Sequence, residues 1–483
     1  MAESTPPNST PTVAVVGGGI TGLAAAYRLV ERAGRHNRSV HVRLLEAHPR
    51  LGGTIHTERR DGFLLEHGPD SFITQKPGGL DLCRRLGITD RLIGTGEQFR
   101  RTFIVGRGKL HPLPEGFMLL APSRFWPFVT SRLFSWPGKL RMALDLFLPR
   151  LKNPPNDESL ASFVTRRLGK EALQRVAQPL IGGIYAADPS NLSLRATMPR
   201  FLEMEARHRS LIKAMWRQRS AMAQSRGDDS GVRYSMFVSL TDGMRSLVDE
   251  LASRLPPDTV RLDTPIASAD WNQAENAWHL TCSDGATIRA QGLILTLPGY
   301  QAAKIVRDFD PDLAGELDAI EYASSATINL AYRQVDVPHP LDGFGFVVPA
   351  VEVRSIIACT FCHRKFSGRA PDGHVLMRVF AGGALHPHHL DRDDRDMILA
   401  ARRDLAELVG VRAEPLFASV WRHVRSMPQY PVGHLDRVRR IQEKARKHPH
   451  LHIAGNVMGG VGIPDCAASA QTTADAVFDE LTA

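Results

Sequence analysis

Gly17, Gly19 and Gly22 fall on the spacing G-x-G-x-x-G, directly after the apolar run Val13–Val16 and at the opening of an alanine-rich stretch. The chemistry this spacing serves is anion binding by the main chain. The first glycine permits a tight turn, the second lets the backbone approach a pyrophosphate, and the third lets a helix lie close on a strand. The phosphates then sit at the N-terminus of that helix, at Ile20 and Thr21, where free N–H groups and the helix dipole favour negative charge. Further on, Val40–Leu45 reads as a second strand ending at Glu46 and Ala47, where a carboxylate suits ribose hydroxyls. The interval from Gly22 to Glu46 is longer than usual, and the polar segment Gly34–Ser39 reads as a lengthened loop before that strand.

Other glycines extend the pattern. Arg50-Leu51-Gly52-Gly53-Thr54 places a glycine pair just past the acidic residue, which a plain nicotinamide dehydrogenase does not need and flavoproteins of the amine-oxidase and glutathione-reductase type carry. The turn Gly68-Pro69, followed by Asp70 and Ser71, can bring backbone near an isoalloxazine ring. Near the C-terminus, His452–Asp465 repeats the order strand, glycine turn, helix, with Gly455, Asn456, Val461, Gly462 and Ile463 suited to the other side of the cofactor. Ile266 and Thr296 end two further strand-like runs and complete the expected cofactor set. Together these features point to non-covalently bound FAD. No Ser–His–Asp, Cys–His or paired-carboxylate constellation stands out, so no catalytic side chain is assigned and the chemistry is left to the flavin.

The elements that must position these residues divide the 483-residue chain into a discontinuous, Rossmann-like FAD-binding unit (12–75, 233–300 and 431–483), an α+β substrate unit (76–100 and 301–430) and a helical unit (101–232). The fold class is thus α/β plus α+β. Strand-like runs at Ala326–Tyr332, Gly345–Pro349, Ser355–Phe361 and Val375–Phe380 supply the second sheet. Residues 1–11 lack a basic segment and an apolar core and read as a disordered leader, and no apolar run is long enough to span a bilayer.

Five scattered cysteines fit a reducing, cytoplasmic setting without disulfides. Cys359-x-x-Cys362 has metal or redox spacing but no second pair, so it reads as a strand with two small residues, and no metal is expected. His386, His388 and His389 read as a solvated loop. With 60 basic against 51 acidic residues the net charge is +9, which suits a carboxylate-bearing substrate or anionic lipid, and no nucleic-acid motif accompanies it. Phe125–Leu151 mixes Trp126, Trp136 and Phe147 with Arg132, Arg141 and Arg150; it fits either an interfacial surface on anionic lipid or a helix whose basic face is merely solvated.

Gln178-Pro179-Leu180-Ile181-Gly182-Gly183-Ile184-Tyr185-Ala186-Ala187-Asp188-Pro189, with Leu110–Gly116 and the flavin motifs, resembles the oxygen-dependent protoporphyrinogen/coproporphyrinogen oxidases of haem synthesis over nearly the whole chain. The resemblance implies stepwise removal of hydride equivalents from a porphyrinogen, with dioxygen reoxidising the flavin to give peroxide. It places Arg101 at a substrate propionate, with Lys76 as a second basic candidate. It also implies that Phe344, Val347 and Phe380 sandwich the macrocycle and that Gly182 and Gly183 give it close backbone access. Whether the substrate is coproporphyrinogen III or protoporphyrinogen IX stays open, as do peripheral membrane contact, a homodimer and a haem-pathway partner such as a ferrochelatase. Two rival readings fit the flavin motifs: an amine- or polyene-oxidising relative, and a non-catalytic flavin or haem carrier.

Overall fold

The computed structural model describes residues 10–114, 117–118, 121–122, 124–151, 155–224 and 235–483. Residues 1–9 of the expected leader, Glu115 and Gly116 of the 110–116 motif, and the expected boundary at 232/233 lie outside them.

Five short strands form a parallel sheet in the order Val260–Arg261, His41–Leu45, Thr12–Val16, Gly292–Leu295, Leu451–Ile453. Both faces must be covered, because successive residues of strands such as Thr12–Val16 and Gly292–Leu295 are apolar and buried. Val13, Val15, Leu44 and Ile294 pack beneath the helices Ile20–His36 and Ile463–Thr482. Ala14, Val16, Leu45 and Leu293 pack against an antiparallel meander (Ile266–Asn272, Ala277–Cys282, Thr287–Ala290) and the helices Gly299–Val306 and Pro311–Asp318. The lengthened loop expected at 34–39 is helix over its first half. The helix runs on to His36 and stops at Asn37, whose left-handed conformation (φ 50°) caps it.

The two helices on the first face run in the same direction. Arg28 bonds Asp475 at 2.6 Å and Arg32 bonds Asp479 at 2.7 Å, a constant offset that only parallel helices allow. Their N-termini, at Ile20 and Ile463, therefore share one end.

A seven-stranded sheet, ordered Phe417–Pro428, Tyr322–Arg333, His374–Gly382, Ala358–Phe361, Gly345–Val347, Thr102–Gly106, Lys109–Pro112, forms the second layer. Ile328, Leu330, Met377, Val379 and Phe346 fill one face under the helix Asp394–Val409. The opposite face looks toward the parallel-sheet unit and the helices. Strand pairing redraws three expected boundaries. Residues 102–112 belong to this sheet and not to the helical unit. The helix Pro77–Leu86 joins the core of the parallel sheet through Leu80, Leu82 and Cys83, and residues 299–318 pack there as well.

The helical layer closes around Phe163, Phe201, Met142 and Tyr430. At its centre the Arg167 guanidinium, 1% exposed, bonds Asp145 Oδ1 at 2.7 Å and the Arg209 carbonyl at 2.6 Å, while Ser210 Oγ and the Ile212 N–H donate to Asp145 Oδ2. Removing one member leaves the other charge buried and uncompensated. Asp145→Ala is expected to cost about 3–5 kcal/mol, read as a fall in the urea-unfolding midpoint.

Candidate cofactor and substrate site

The glycine turn is built by close backbone approach. A Cβ on Gly22 would stand 1.8 Å from the Gly17 carbonyl oxygen, so only glycine lets this helix meet the strand. Gly17 has φ 111°, and the Thr296 hydroxyl, donating to the carbonyls of Val16 and Gly17 at 2.9 and 3.0 Å, pins the turn from the neighbouring strand. Around Gly19 the situation is opposite: a Cβ there would meet nothing within 4 Å. The space beside Gly19 is where a pyrophosphate must come. Gly52 donates to the Gly18 carbonyl at 2.8 Å, bringing the Gly52–Gly53–Thr54 turn against Gly19. The buried Glu46 carboxylate accepts from the N–H groups of Gly18 (2.6 Å) and His48 (2.9 Å), which fixes its plane and leaves a lone pair on each oxygen for a hydroxyl. Ala47 beside it is exposed, and Ile266 is half-buried at the edge of the adjoining core.

Both helices that end here begin after a glycine, Gly19 and Gly462, and neither has a side-chain cap. Free N–H groups and two aligned dipoles thus converge on one end. Gly455, at φ 102°, packs against Thr21 and donates to Ser469 Oγ at 3.0 Å; Tyr430 Oη donates to the Asn456 carbonyl; Val461 leans on the helical core. The donor set and the open glycine fit a dinucleotide diphosphate. Ile20, Thr21, Gly52, Gly53 and Ile463 bound the same cradle.

The Gly68–Pro69 turn is suspended from the seven-stranded sheet. A Cβ on Gly68 would lie 1.8 Å from the Thr54 carbonyl oxygen, so the turn touches the second glycine pair. Thr327 Oγ1 and His423 Nε2 both contact the His67 carbonyl at 2.8 Å, and Arg378 donates to the carbonyls of Gly68 (2.8 Å) and Glu66 (3.3 Å). Asp70, expected to face the cofactor, has its carboxylate engaged elsewhere: Lys365 Nζ stands at 2.9 and 3.0 Å, Arg378 at 3.3 Å and Ser71 Oγ at 2.7 Å. Burial alone would push this carboxyl up, but Arg378 and Lys365 more than offset it and hold it well below the usual range. Glu66, one turn away, goes the other way. Burial pushes it up to about 7, against the opposing bonds from the Met244 N–H and the Thr57 hydroxyl.

On the face that looks inward, one cross-strand row runs Trp421, Thr327, Phe380, Ala358, Val347, Ile104. Its first end meets the His67 turn, and its last end packs on the helical core. Phe380 and Val347 lie between, half-buried, with the Arg378 guanidinium 4.8 Å from the Phe380 ring. Gly182 and Gly183 lie on the helix Gln178–Tyr185, which follows a π-helical turn at Leu173–Ala177; Gly182 lines a small recess shared with Val348, Ile357 and Gly382. Phe344 precedes its strand and donates its N–H to the Arg101 carbonyl at 2.7 Å. Arg101 is exposed and pairs with Asp342 at 2.9 Å. Lys76 is not on this sheet: its Nζ is bound to Asp465 at 2.7 Å, beside the C-terminal glycine turn.

Two other clusters do different work. Burial raises the thiol of Cys362 to about 11 and that of Cys359 further, so both stay protonated at neutral pH. His389 is buried, which corrects the expectation of a solvated loop for that residue; burial lowers it to about 4.

Residues 20–478 match the family described as flavin containing amine oxidoreductase. The chain belongs to that family. It is 34% identical over 474 residues to a protein named coproporphyrinogen III oxidase from Bacillus subtilis (strain 168), covering 97% of this chain and 98% of that one. A protein of the same name from Propionibacterium freudenreichii subsp. freudenreichii is 35% identical over 96% of this chain and 90% of its own length. Among solved structures, one described as a putative protoporphyrinogen oxidase from Exiguobacterium sp. 255-15 superposes with a TM-score of 0.85 at 33% identity, covering 98% of this chain and 99% of that one. Reduced UDP-galactopyranose mutase shares the fold alone, with a TM-score of 0.71 at 16% identity over 97% of this chain and 93% of that one.

As a flavin-containing oxidoreductase the chain uses FAD, which supplies reversible two-electron chemistry when bound. Sequence reasoning missed the residues that join the two units: Arg378, Lys365, Tyr430 and Trp421. A signal existed for Arg378, a cation in the middle of the apolar strand His374–Gly382. Two outcomes are expected. Gly19→Ala leaves the fold intact, since its Cβ meets no protein atom, but weakens FAD retention roughly tenfold or more by intruding on the pyrophosphate space, read by flavin absorbance after gel filtration. For Glu66, a pKa of about 7 in the folded protein, above the ordinary 4.5, means that folding takes up a proton between them. Its contribution to stability therefore falls as pH rises across that window, and Glu66→Gln should flatten the slope of unfolding midpoint against pH there.

Proposed function

We propose that this enzyme oxidises coproporphyrinogen III to coproporphyrin III, with hydride equivalents passing to FAD and on to dioxygen to give hydrogen peroxide. The observation that carries the reading is the inward row of the seven-stranded sheet, apolar at Phe380, Ala358 and Val347 and running from the His67 turn to the helical core. A flat, apolar macrocycle laid along that row would rest on apolar side chains and be shielded from water at the carbon that loses hydride. Arg101 at the edge offers a two-pronged partner for a propionate, exchanging Asp342 for the substrate carboxylate. A cationic amine would meet Arg101 and Arg378, so the same edge disfavours amine substrates. The choice of the tetracarboxylate over protoporphyrinogen IX is supported by the names and identities of the bacterial relatives, 34 and 35%, against 29% for protein named protoporphyrinogen oxidase, chloroplastic, from Oryza sativa subsp. japonica.

Within this reading Val347 and Phe380 support the macrocycle, the side-chain-free surface of Gly182 and Gly183 lets it approach the helix, and Arg378 keeps the Gly68–Pro69 turn at a fixed distance from it. Peripheral membrane contact belongs to the same proposal. No helix among the described residues is long and apolar enough to cross a membrane, yet Trp136, Leu140, Leu144 and Phe147 are 50–74% exposed along one side of the helical layer.

Aerobic incubation with each reduced porphyrinogen, followed by porphyrin fluorescence and peroxide, tests the activity. Faster turnover of coproporphyrinogen III is expected, and no turnover above autoxidation of either would refute it. Arg101→Ala should raise KM for that substrate about fivefold with kcat little changed, the cost of roughly 1 kcal/mol for one solvent-exposed ionic hydrogen bond, and Arg101→Lys should restore part of it.

A further inference from the structure

Some arginines on this surface are matched with carboxylates, as Arg28 is with Asp475 and Arg440 with Glu316. One cleft gathers several that are not. It has a volume of about 410 Å³ and is lined by Arg150, Arg207, Arg209, Lys213 and Arg217 together with Ala206 and His208, and no acidic side chain lines it. Arg150, Arg207, Arg209, Lys213 and Arg217 are all exposed, and none has a carboxylate partner among the described residues. Arg217 Nη1 stands 3.3 Å from His208 Nδ1, a contact that brings no negative charge to the cluster.

The cleft adjoins the apolar ridge. Arg150 follows Phe147 by three residues, and the turn Leu144–Leu146 packs on the helix Leu211–Gln224 that carries Lys213 and Arg217. Asp145 in that turn accepts from Ser210 Oγ and from the Ile212 N–H, so ridge and cleft are held rigidly together. Trp136, Leu140 and Leu144 repeat every four residues and so share one side of their helix, exposed by 65, 69 and 50%, with Phe147 at 74% beyond them. Apolar side chains standing out of the protein beside an uncompensated cluster of cations match the two layers of a bilayer surface, acyl chains and anionic headgroups. A soluble anion would account for the cations but not for the ridge.

We propose that the cleft binds the phosphate of an anionic lipid headgroup while the ridge beside it enters the outer acyl region. This rests on the membrane-contact reading and is independent of which porphyrinogen is oxidised. The test uses the full-length FAD-loaded protein with vesicles of phosphatidylcholine alone and of phosphatidylcholine mixed with phosphatidylglycerol. Selective binding to the mixed vesicles is expected, and Arg207→Ala/Arg217→Ala should weaken it about thirtyfold with turnover of free substrate unchanged. The control Arg446→Ala/Lys447→Ala removes the same net charge from the exposed end of another helix and should leave binding intact. Equal losses in both double variants, or binding that survives the cleft variant, would overturn the headgroup site while sparing membrane contact. No binding to any vesicle would overturn both. Saturable binding of inorganic phosphate in the cleft, without preference for the mixed vesicles, would assign it to a free anion and overturn the lipid, as would a dimer in sedimentation equilibrium that Leu140→Glu dissociates.

Discussion

Arg378, with Lys365, Thr327 and His423, holds two halves of the site in register. It rises from the third strand of the seven-stranded sheet, donates to the carbonyls of Glu66 and Gly68, and pairs with Asp70, while Lys365 closes the other side of that carboxylate. The turn it grips is the one that touches the second glycine pair. A buried cation is costly unless paired and hydrogen-bonded, and here every element of compensation comes from the opposite unit. The sheet therefore cannot slide over the cofactor cradle without uncovering a charge, which is what a reaction requiring a fixed donor–acceptor distance demands.

The cradle itself is assembled on a different principle, by omission. Gly22 allows contact where a side chain would collide, and Gly19 leaves open the volume a phosphate takes. The parallel alignment of the helices Ile20–His36 and Ile463–Thr482, fixed by Arg28–Asp475 and Arg32–Asp479, brings two uncapped N-termini to that volume. Two uncapped helix starts at one end offer free N–H groups and aligned dipoles that an anion such as a diphosphate would satisfy.

This explains what could be seen in the sequence. The parallel sheet and its two glycine turns were legible because each is a local pattern with one chemical use, and four strands of the second sheet were legible as strand-like runs, while Phe417–Pro428 was not. The assignment of residues 102–112 failed because a strand pair joined in parallel to a partner more than two hundred residues away carries no local sign of it. The segment 34–39 was misread because polar residues suit a loop or an exposed last helical turn equally, and Asn37, an αL cap, decides the matter only once its φ is known. Val347 and Phe380 were legible as strand residues, whereas the contacts of Arg378 were not. A strand arginine looks solvent-facing until the sheet's other face is known to be covered.

The same accounting of charges extends to the titratable groups beside the Gly68–Pro69 turn. Asp70 is ionised and bound on both sides, Glu66 sits behind the turn with its oxygens occupied by Met244 and Thr57, and burial lowers the affinity of His423 for a proton while its ring contacts the His67 carbonyl. Each of these groups is thus committed to holding backbone in place. A hydride leaving an apolar macrocycle needs alignment and exclusion of water more than proton transfer, and a wall of Phe380, Ala358 and Val347 backed by locked charges provides both.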